Sequence, residues 1–81
     1  MTEQLTFAVI VEKGERNFSA YAPELPGCVT TGSTVEETLA NMREAISFHL
    51  QGMAEDRRPL PTSSTIATQL LSFDVPEQSI Q

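Results

Sequence analysis

The stretch from Pro23 to Ile46 constrains the fold most, because it places a forced turn shortly before the start of a helix. Proline fixes the backbone angle φ at about −65°, and glycine readily adopts positive φ. The tetrapeptide Leu25-Pro26-Gly27-Cys28 therefore predicts a tight turn with proline second and glycine third. The chain must reverse here, so the residues on either side belong to different strands.

A long amphipathic helix is predicted next, from Val35 to about Met53. Its start fits the Ser/Thr-x-x-Glu capping pattern in two registers, Thr34 with Glu37 or Ser33 with Glu36, and the sequence does not choose between them. Apolar residues then recur every three or four positions, which is typical of a helix lying on a hydrophobic surface. This stripe consists of Val35, Leu39, Met42, Ile46, Leu50 and Met53.

Alternating apolar residues predict four strands around this turn and helix. The first strand spans Leu5 to Lys13, and a loop at 14–17 leads into a second strand at Phe18 to Ala22. The third strand covers Cys28 to Thr31, and the fourth lies somewhere within Thr65 to Val75. In the first strand, we expect the bulkier row to face the core: Leu5, Phe7, Val9 and Val11.

The element order predicts an α+β fold of the form β-β-β-α-β in one domain, 1–81, ordered from about 4 to 75 with a loose tail at 76–81. Hairpins make the first three strands antiparallel. A right-handed helical crossover would place the fourth strand parallel to the third. Because one helix can cover only one face of the sheet, the other face is left for water, another copy or a partner.

Composition and charge exclude several functions. The net charge of −6 argues against direct nucleic-acid binding, because phosphate contacts require clustered lysine and arginine. Cys28 is the only cysteine and His49 the only histidine, which excludes an internal disulfide and a Cys/His zinc site. The absence of a long apolar run or signal-like start predicts a cytoplasmic protein without membrane contact. The acidity either maintains solubility or attracts a basic partner.

The motif around the turn resembles the signature of HicB-family bacterial antitoxins, Pro-[Asp/Glu]-Leu-Pro-Gly-Cys followed by Gly-[Asp/Ser]-Thr-x-x-Glu-Ala. Pro23 to Cys28 and Gly32 to Glu37 match it, while Thr38 stands where alanine is usual. The resemblance covers roughly Leu5 to Val75. It implies a partial ribonuclease-H-like fold and a binding protein that neutralises a small basic HicA-like, mRNA-cleaving toxin by occluding its surface. Many HicB proteins also carry a DNA-binding domain, and we expect none here.

We expect this chain to bind protein through residues in and before the turn, because loops on a rigid scaffold often carry binding. The predicted partner-binding residues are Phe18, Tyr21, Glu24 and Leu25, although each aromatic could equally belong to the core. The motif residues with a structural role are Pro23, Pro26, Gly27, Cys28, Gly32, Thr34 and Glu37. Cys28 is expected to fill space behind the turn, since free cysteine is often buried. A homo-oligomer is expected, since a chain of this size is marginally stable alone.

Two other functions stay open. One is a stand-alone dimeric regulatory or accessory protein that has no toxin. The other is a vestigial ribonuclease-H-like hydrolase, which would need several acids converging on metal ions. Glu36 and Glu37 diverge by about 100° around a helix, and Glu12 is the only acid on the predicted first strand. We therefore expect no enzymatic activity, no catalytic or metal-binding residues and no cofactor.

Overall fold

Residues 4–76 of the chain are described by a computed structural model, in which three short strands precede one long helix. Adjacent strands pair antiparallel in the order β1-β2-β3, and the four-residue loop 14–17 joins the first two. This confirms the predicted antiparallel sheet with one helix beside it. The elements are β1 at Ile10–Lys13, β2 at Phe18–Tyr21, β3 at Val29–Gly32 and α1 at Val35–Glu55.

Two successive tight turns connect β2 to β3. In the first turn, Pro23 occupies the second position and the Leu25 N–H donates to the Ala22 carbonyl over 3.0 Å. In the second, the Cys28 N–H donates to the Leu25 carbonyl over 3.2 Å, and Gly27 has a φ of 87°. A positive φ at the third position is the mark of a type II turn. The predicted turn chemistry is confirmed.

The first strand is shorter than predicted, since β1 begins at Ile10 rather than Leu5. Ile10 pairs with Tyr21, the last residue of β2, after which the chain turns away at Pro23. Residues 5–9 therefore have no neighbouring strand within the described chain, and a strand needs a hydrogen-bonded neighbour. The predicted inward row is nevertheless largely confirmed, because three of its members pack against the core: Phe7, Val9 and Val11.

The predicted fourth strand is wrong for the part of the chain that the structure describes. Residues 58–76 contain no strand or helix, so nothing runs parallel to β3. We call residues 65–75 the C-terminal arm; within it, Ile66 is 98% exposed and Leu70 is 97% exposed. The radius of gyration is accordingly 16.2 Å, compared with about 12 Å for a compact domain of this length. Of the predicted tail, residues 77–81 lie outside the described residues.

The core lies between the sheet and the helix. From the helix, Thr38 and Met42 are buried, with Ala45 and Ile46 half-buried. Leu39 belonged to the predicted apolar stripe but is 42% exposed, so the helix contacts the sheet through a line that includes Thr38 instead. The buried apolar residues are Ala20, Ala22, Leu25, Cys28 and Met42.

Gly32 is the point of closest approach between β3 and α1. A Cβ atom at this position would lie 2.6 Å from Thr38 Oγ1, 2.8 Å from Thr38 N and 3.0 Å from Thr38 Cα. The Thr38 hydroxyl donates to the Thr34 carbonyl over 2.6 Å, which satisfies this buried polar group. Gly32 is therefore required for space rather than for positive φ, which occurs among the described glycines at Gly27.

The helix start uses one of the two predicted capping registers. Thr34 is the N-cap, and its hydroxyl accepts from the Glu37 N–H over 3.0 Å. Glu37 reaches back to accept from the Ser33 N–H over 3.0 Å. The first bond satisfies an amide group that a helix start leaves unpaired, the second ties down the residue before the N-cap, and the Glu37 carboxylate also complements the helix dipole.

The helix end forms a Schellman motif at a residue other than glycine. Arg57 has a φ of 58°. Its N–H donates to the Ala54 carbonyl over 3.1 Å, and the Arg58 N–H donates to the Met53 carbonyl over 2.9 Å. The left-handed backbone at Arg57 is strained for a residue that carries a Cβ atom.

Candidate protein-binding face

The alternation of the strands divides the sheet into two faces. Val11, Ala20 and Thr30 stand opposite one another across the three strands. Ala20 is fully buried, and the Thr30 hydroxyl lies 3.4 Å from the Thr38 carbonyl and 3.7 Å from Met42 Sδ. This row therefore faces the helix, and the residues one position away along each strand point to the opposite side.

That opposite side, which we call the free face, carries an apolar row. Ile10 pairs with Tyr21, which pairs in turn with Val29. Ile10 is 39% exposed and Val29 is 61% exposed, and Tyr21 is half-buried between them. The next row is polar, so the free face combines an apolar strip with hydroxyl and carboxylate groups. Its members are Ile10, Glu12, Ser19, Tyr21, Val29 and Thr31.

The structure does not bring the four predicted partner-binding residues together. Tyr21 lies on the free face, whereas Phe18 pairs with Gly32 and shares the helix-facing side of β2 with Ala20. Leu25 is 3% exposed and belongs to the core. A partner-binding role for these residues stays a prediction.

Sequence reasoning missed the neighbours of Tyr21 on the free face. The sequence placed Ile10 in the second, partly apolar row of the first strand, and it placed Val29, a β-branched residue, in the third strand. Their juxtaposition depends on strand register, which the turn at 22–28 sets and the sequence pattern alone does not give.

Glu24, the fourth predicted residue, joins the turn to the root of the C-terminal arm. Its carboxylate accepts from the Ser64 N–H over 3.0 Å and from the Thr65 hydroxyl over 2.9 Å. The Ser63 hydroxyl donates to the Thr6 carbonyl. The bond from the Ser64 N–H, followed by that from Thr65, lowers the pKa of Glu24 below its ordinary value. The arm therefore leaves the body of the molecule from a fixed point beside residue 6.

The motif residues of the turn lie in the segment that joins β2 to β3. Pro23, Pro26 and Gly27 form the double turn, and Cys28 is 5% exposed behind it. Burial raises the pKa of the Cys28 thiol, because desolvation disfavours the thiolate. This environment keeps Cys28 protonated at neutral pH and suits a packing role rather than a nucleophilic one.

An apolar groove lies between the helix and residues 5–9. Its volume is about 450 Å³. Leu5 is 38% exposed along it and Leu39 is 42% exposed, so apolar surface remains in contact with water. The apolar residues lining it are Leu5, Phe7, Val9, Leu39, Met42, Ile46 and Leu50.

Residues 4–76 contain neither a metal-binding cluster nor a membrane-spanning helix. No group of three or more histidine, cysteine, aspartate or glutamate side chains in this range is placed to hold a metal ion. Over the same residues, no helix combines the length and the apolar character that crossing a bilayer requires. The features that remain are the free face, the apolar groove and the arm.

Fold and site together define a small α+β domain with one sheet face uncovered. A model of the HicB-like antitoxins of bacterial toxin–antitoxin systems matches residues 7–77, and the chain belongs to this family. The resemblance seen in the turn and capping motif is thereby confirmed.

Relatives at 31–39% identity include proteins of two lengths. An uncharacterised 14.9 kDa protein of Haemophilus phage HP1 is 39% identical over 62 residues, covering 76% of this chain and 47% of that protein. Antitoxin HicB 2 of Photorhabdus laumondii is 34% identical over 65 residues, which are 80% of this chain and 47% of that protein. The chain thus spans about half the length of these two. A UPF0150 protein of Synechocystis is 31% identical over 65 residues, which are 79% of this chain and 82% of that protein.

A solved structure shares both the fold and part of the sequence. One chain of a HicA3 and HicB3 toxin–antitoxin complex superposes with a TM-score of 0.65 at 25% identity. The match covers 74% of this chain and 70% of the other. The α+β fold therefore occurs in a known toxin–antitoxin assembly.

Proposed function

We propose that this chain binds a small basic HicA-like toxin and neutralises its mRNA cleavage by covering the toxin surface. The observation that carries the proposal is the likeness, at TM-score 0.65, to a chain of a HicA3 and HicB3 complex. Membership of the HicB-like antitoxin family supports it. No chemistry is required of the antitoxin, because occupying the toxin surface is sufficient to inhibit it.

The free face supplies the contact area in this proposal. Interfaces are held by a few apolar and aromatic anchors surrounded by polar residues that exclude water. Tyr21 between Ile10 and Val29 has this composition, with Glu12 and Ser19 in the adjacent row. An aromatic ring with apolar neighbours on both sides is a suitable anchor for a partner side chain.

The charge of the chain supplies long-range attraction. A net charge of −6 raises the association rate with a basic protein, and this effect weakens as salt screens the charges. Exposed carboxylates of the described residues lie on both sides of the domain, with Glu12 on the free face and Glu36 and Glu37 in the first helical turn. We expect the toxin to approach under this field and to dock on the free face.

The test is co-expression of the chain with any small basic protein encoded by a gene beside its own. We expect the chain to restore growth and to be recovered with that protein. Recovery of no small basic protein, together with no rescue of growth, would refute the proposal. In vitro, addition of the purified chain should stop RNA cleavage by the toxin, while the chain alone with Mg²⁺ should leave RNA intact.

A matched pair of variants tests the docking face. Val29→Asp places a charge in the apolar row of the free face, and Val35→Asp places the same charge at the helix start, where the valine is 41% exposed. We expect Val29→Asp to weaken toxin binding at least tenfold, which corresponds to about 1.4 kcal/mol. Val35→Asp should change it by less than twofold. Equal effects of both substitutions would contradict the assignment of this face.

The second candidate is a stand-alone dimeric regulatory protein without a toxin. The exposed apolar arm favours it, since an 81-residue chain gains stability by self-association. The absence of any short basic reading frame beside the gene, with a dimer in solution, would support this candidate over the first.

A further inference from the structure

Two segments with a strand-like sequence lack a strand neighbour within residues 4–76. Residues 5–9 precede β1 in the chain and have no strand partner, and the arm at residues 65–75 forms no strand pair in the described chain. Both alternate apolar and other side chains as strands do. Unpaired backbone along an edge of a sheet is a template for pairing with another strand.

The arm has the composition of a strand that is covered on both faces. One row contains Ile66 and Leu70, which are 98% and 97% exposed. The other contains Leu71, Phe73 and Val75, which are 67%, 81% and 67% exposed. A contiguous set of large apolar side chains open to water marks an interaction surface.

The groove beside residues 5–9 is the matching surface. It has a volume of about 450 Å³ and is lined mainly by aliphatic and aromatic side chains from the helix and from Leu5, Phe7 and Val9. A strand laid along residues 5–9 would extend the sheet beyond β1 and place one row of its side chains over this groove.

The charge of the arm selects a second copy as the occupant rather than a basic protein. Asp74 is the only charged residue between 65 and 75, so the arm offers almost nothing to a basic surface. The groove, by contrast, is mainly apolar, with Arg43 and Ser47 as its polar lining residues, and is present in every copy. In a dimer with twofold symmetry, the arm of each copy lies on the groove of the other copy, so both arms are covered.

The tether of the arm fits an exchange between copies. Ser63 bonds to the Thr6 carbonyl, and Ser64 and Thr65 bond to Glu24, so the arm begins at the edge that residues 5–9 form. Extended at about 3.3 Å per residue, residues 65–75 reach roughly 36 Å. The two smaller dimensions of the molecule are 28 and 20 Å, so the arm is long enough to cross a neighbouring copy.

We propose that two copies of this chain exchange their C-terminal arms. Each arm pairs as an added strand along residues 5–9 of the other copy and covers its apolar groove. The proposal is independent of toxin binding, which uses the free face on the other side of the sheet.

Sedimentation velocity on the full chain tests the exchange. We expect a dimer at micromolar concentration. The double variant Leu71→Asp and Phe73→Asp places two charges in one row of the arm and should raise the dimer dissociation constant at least tenfold. Gln69→Asp adds a charge at a polar position of the same row and should change it less than the double variant does. A monomeric wild-type chain, or a dimer indifferent to the double variant, would overturn the proposal.

Isotope-filtered NMR distinguishes exchange from closure of the arm on its own chain and needs no variant. Labelled and unlabelled full chains are mixed in equal amounts, and contacts between the two kinds of chain are recorded. We expect intermolecular contacts from Leu71 and Phe73 to Phe7 and Val9. The same contacts found only within one chain, or an arm that contacts neither copy, would overturn the exchange even if the double variant failed to fold.

Discussion

Replacing Gly32 with alanine should destabilise the fold for a reason that can be worked from the structure. The new Cβ would lie 2.6 Å from Thr38 Oγ1 and 2.8 Å from Thr38 N. Two of the three close atoms, Thr38 N and Cα, belong to the helix backbone, so a change of rotamer cannot relieve the contact. The sheet and the helix must separate by several tenths of an ångström.

Such overpacking costs about 1–3 kcal/mol. Alanine restricts the unfolded chain more than glycine does, and this offsets the cost by about 0.4–1 kcal/mol. We therefore expect Gly32→Ala to lower the free energy of unfolding by about 1–2 kcal/mol. With a urea dependence of about 1 kcal/mol per molar, the unfolding midpoint should fall by roughly 1–2 M.

Gly52→Ala is the matched control. Gly52 lies in α1, and a Cβ there would meet nothing within 4 Å. The same chemical change should therefore stabilise the helix by about 0.5–1 kcal/mol. Urea unfolding followed by circular dichroism, at one fixed protein concentration, compares both variants with the wild type. Fixed concentration matters because association contributes to apparent stability.

A third variant locates the clash. Thr38→Ala removes the hydroxyl 2.6 Å away but leaves the backbone atoms at 2.8 and 3.0 Å. The cost of Gly32→Ala should thus decrease in this background without disappearing. A Gly32→Ala protein as stable as the wild type would refute the close approach, and complete rescue by Thr38→Ala would assign the clash to the hydroxyl alone.

Three further predictions concern the helix ends and the arm. Arg57→Gly should stabilise the protein by up to about 1 kcal/mol, because glycine adopts the left-handed backbone without strain; thermal melting measures this. Thr34→Ala should destabilise it by about 1 kcal/mol through loss of the N-cap bond, measured by urea unfolding. The lowered pKa of Glu24 means that its bonds to the arm are present above the ordinary carboxyl pKa and are lost as pH falls through the folded value. The Ser64 amide resonance should shift over that range, and Glu24→Gln should abolish the shift.

Local sequence signals predicted the local structure well. The proline–glycine pair predicted the tight turn, and the Ser/Thr-x-x-Glu pattern predicted a helix start at Ser33 or Thr34, of which the structure uses Thr34. The helix end at Glu55 lies two residues beyond the prediction at Met53. These features depend on residues near one another in the chain, which is why composition and spacing suffice to identify them.

Predictions that depended on distant pairing succeeded less often. An alternating pattern at residues 5–9 and again at 65–75 indicated strands, yet neither segment has a strand partner in the chain that the structure describes. Alternation shows that a segment suits a sheet but not which strand lies beside it. Alternation likewise placed Phe18 and Tyr21 on opposite faces of the second strand, but it left open which of the two faces the helix.

The sequence by itself determined the family, the antiparallel hairpin, the proline–glycine turn and the capped amphipathic helix. Only the tertiary structure decided that Ile10, Tyr21 and Val29 form one row on a free face, that Gly32 is needed to admit Thr38, and that the arm leaves the body from Glu24. The physical reason is that turns and caps arise from short-range sterics and hydrogen bonds. Faces, close approaches and unpaired edges arise from how separate elements meet in space.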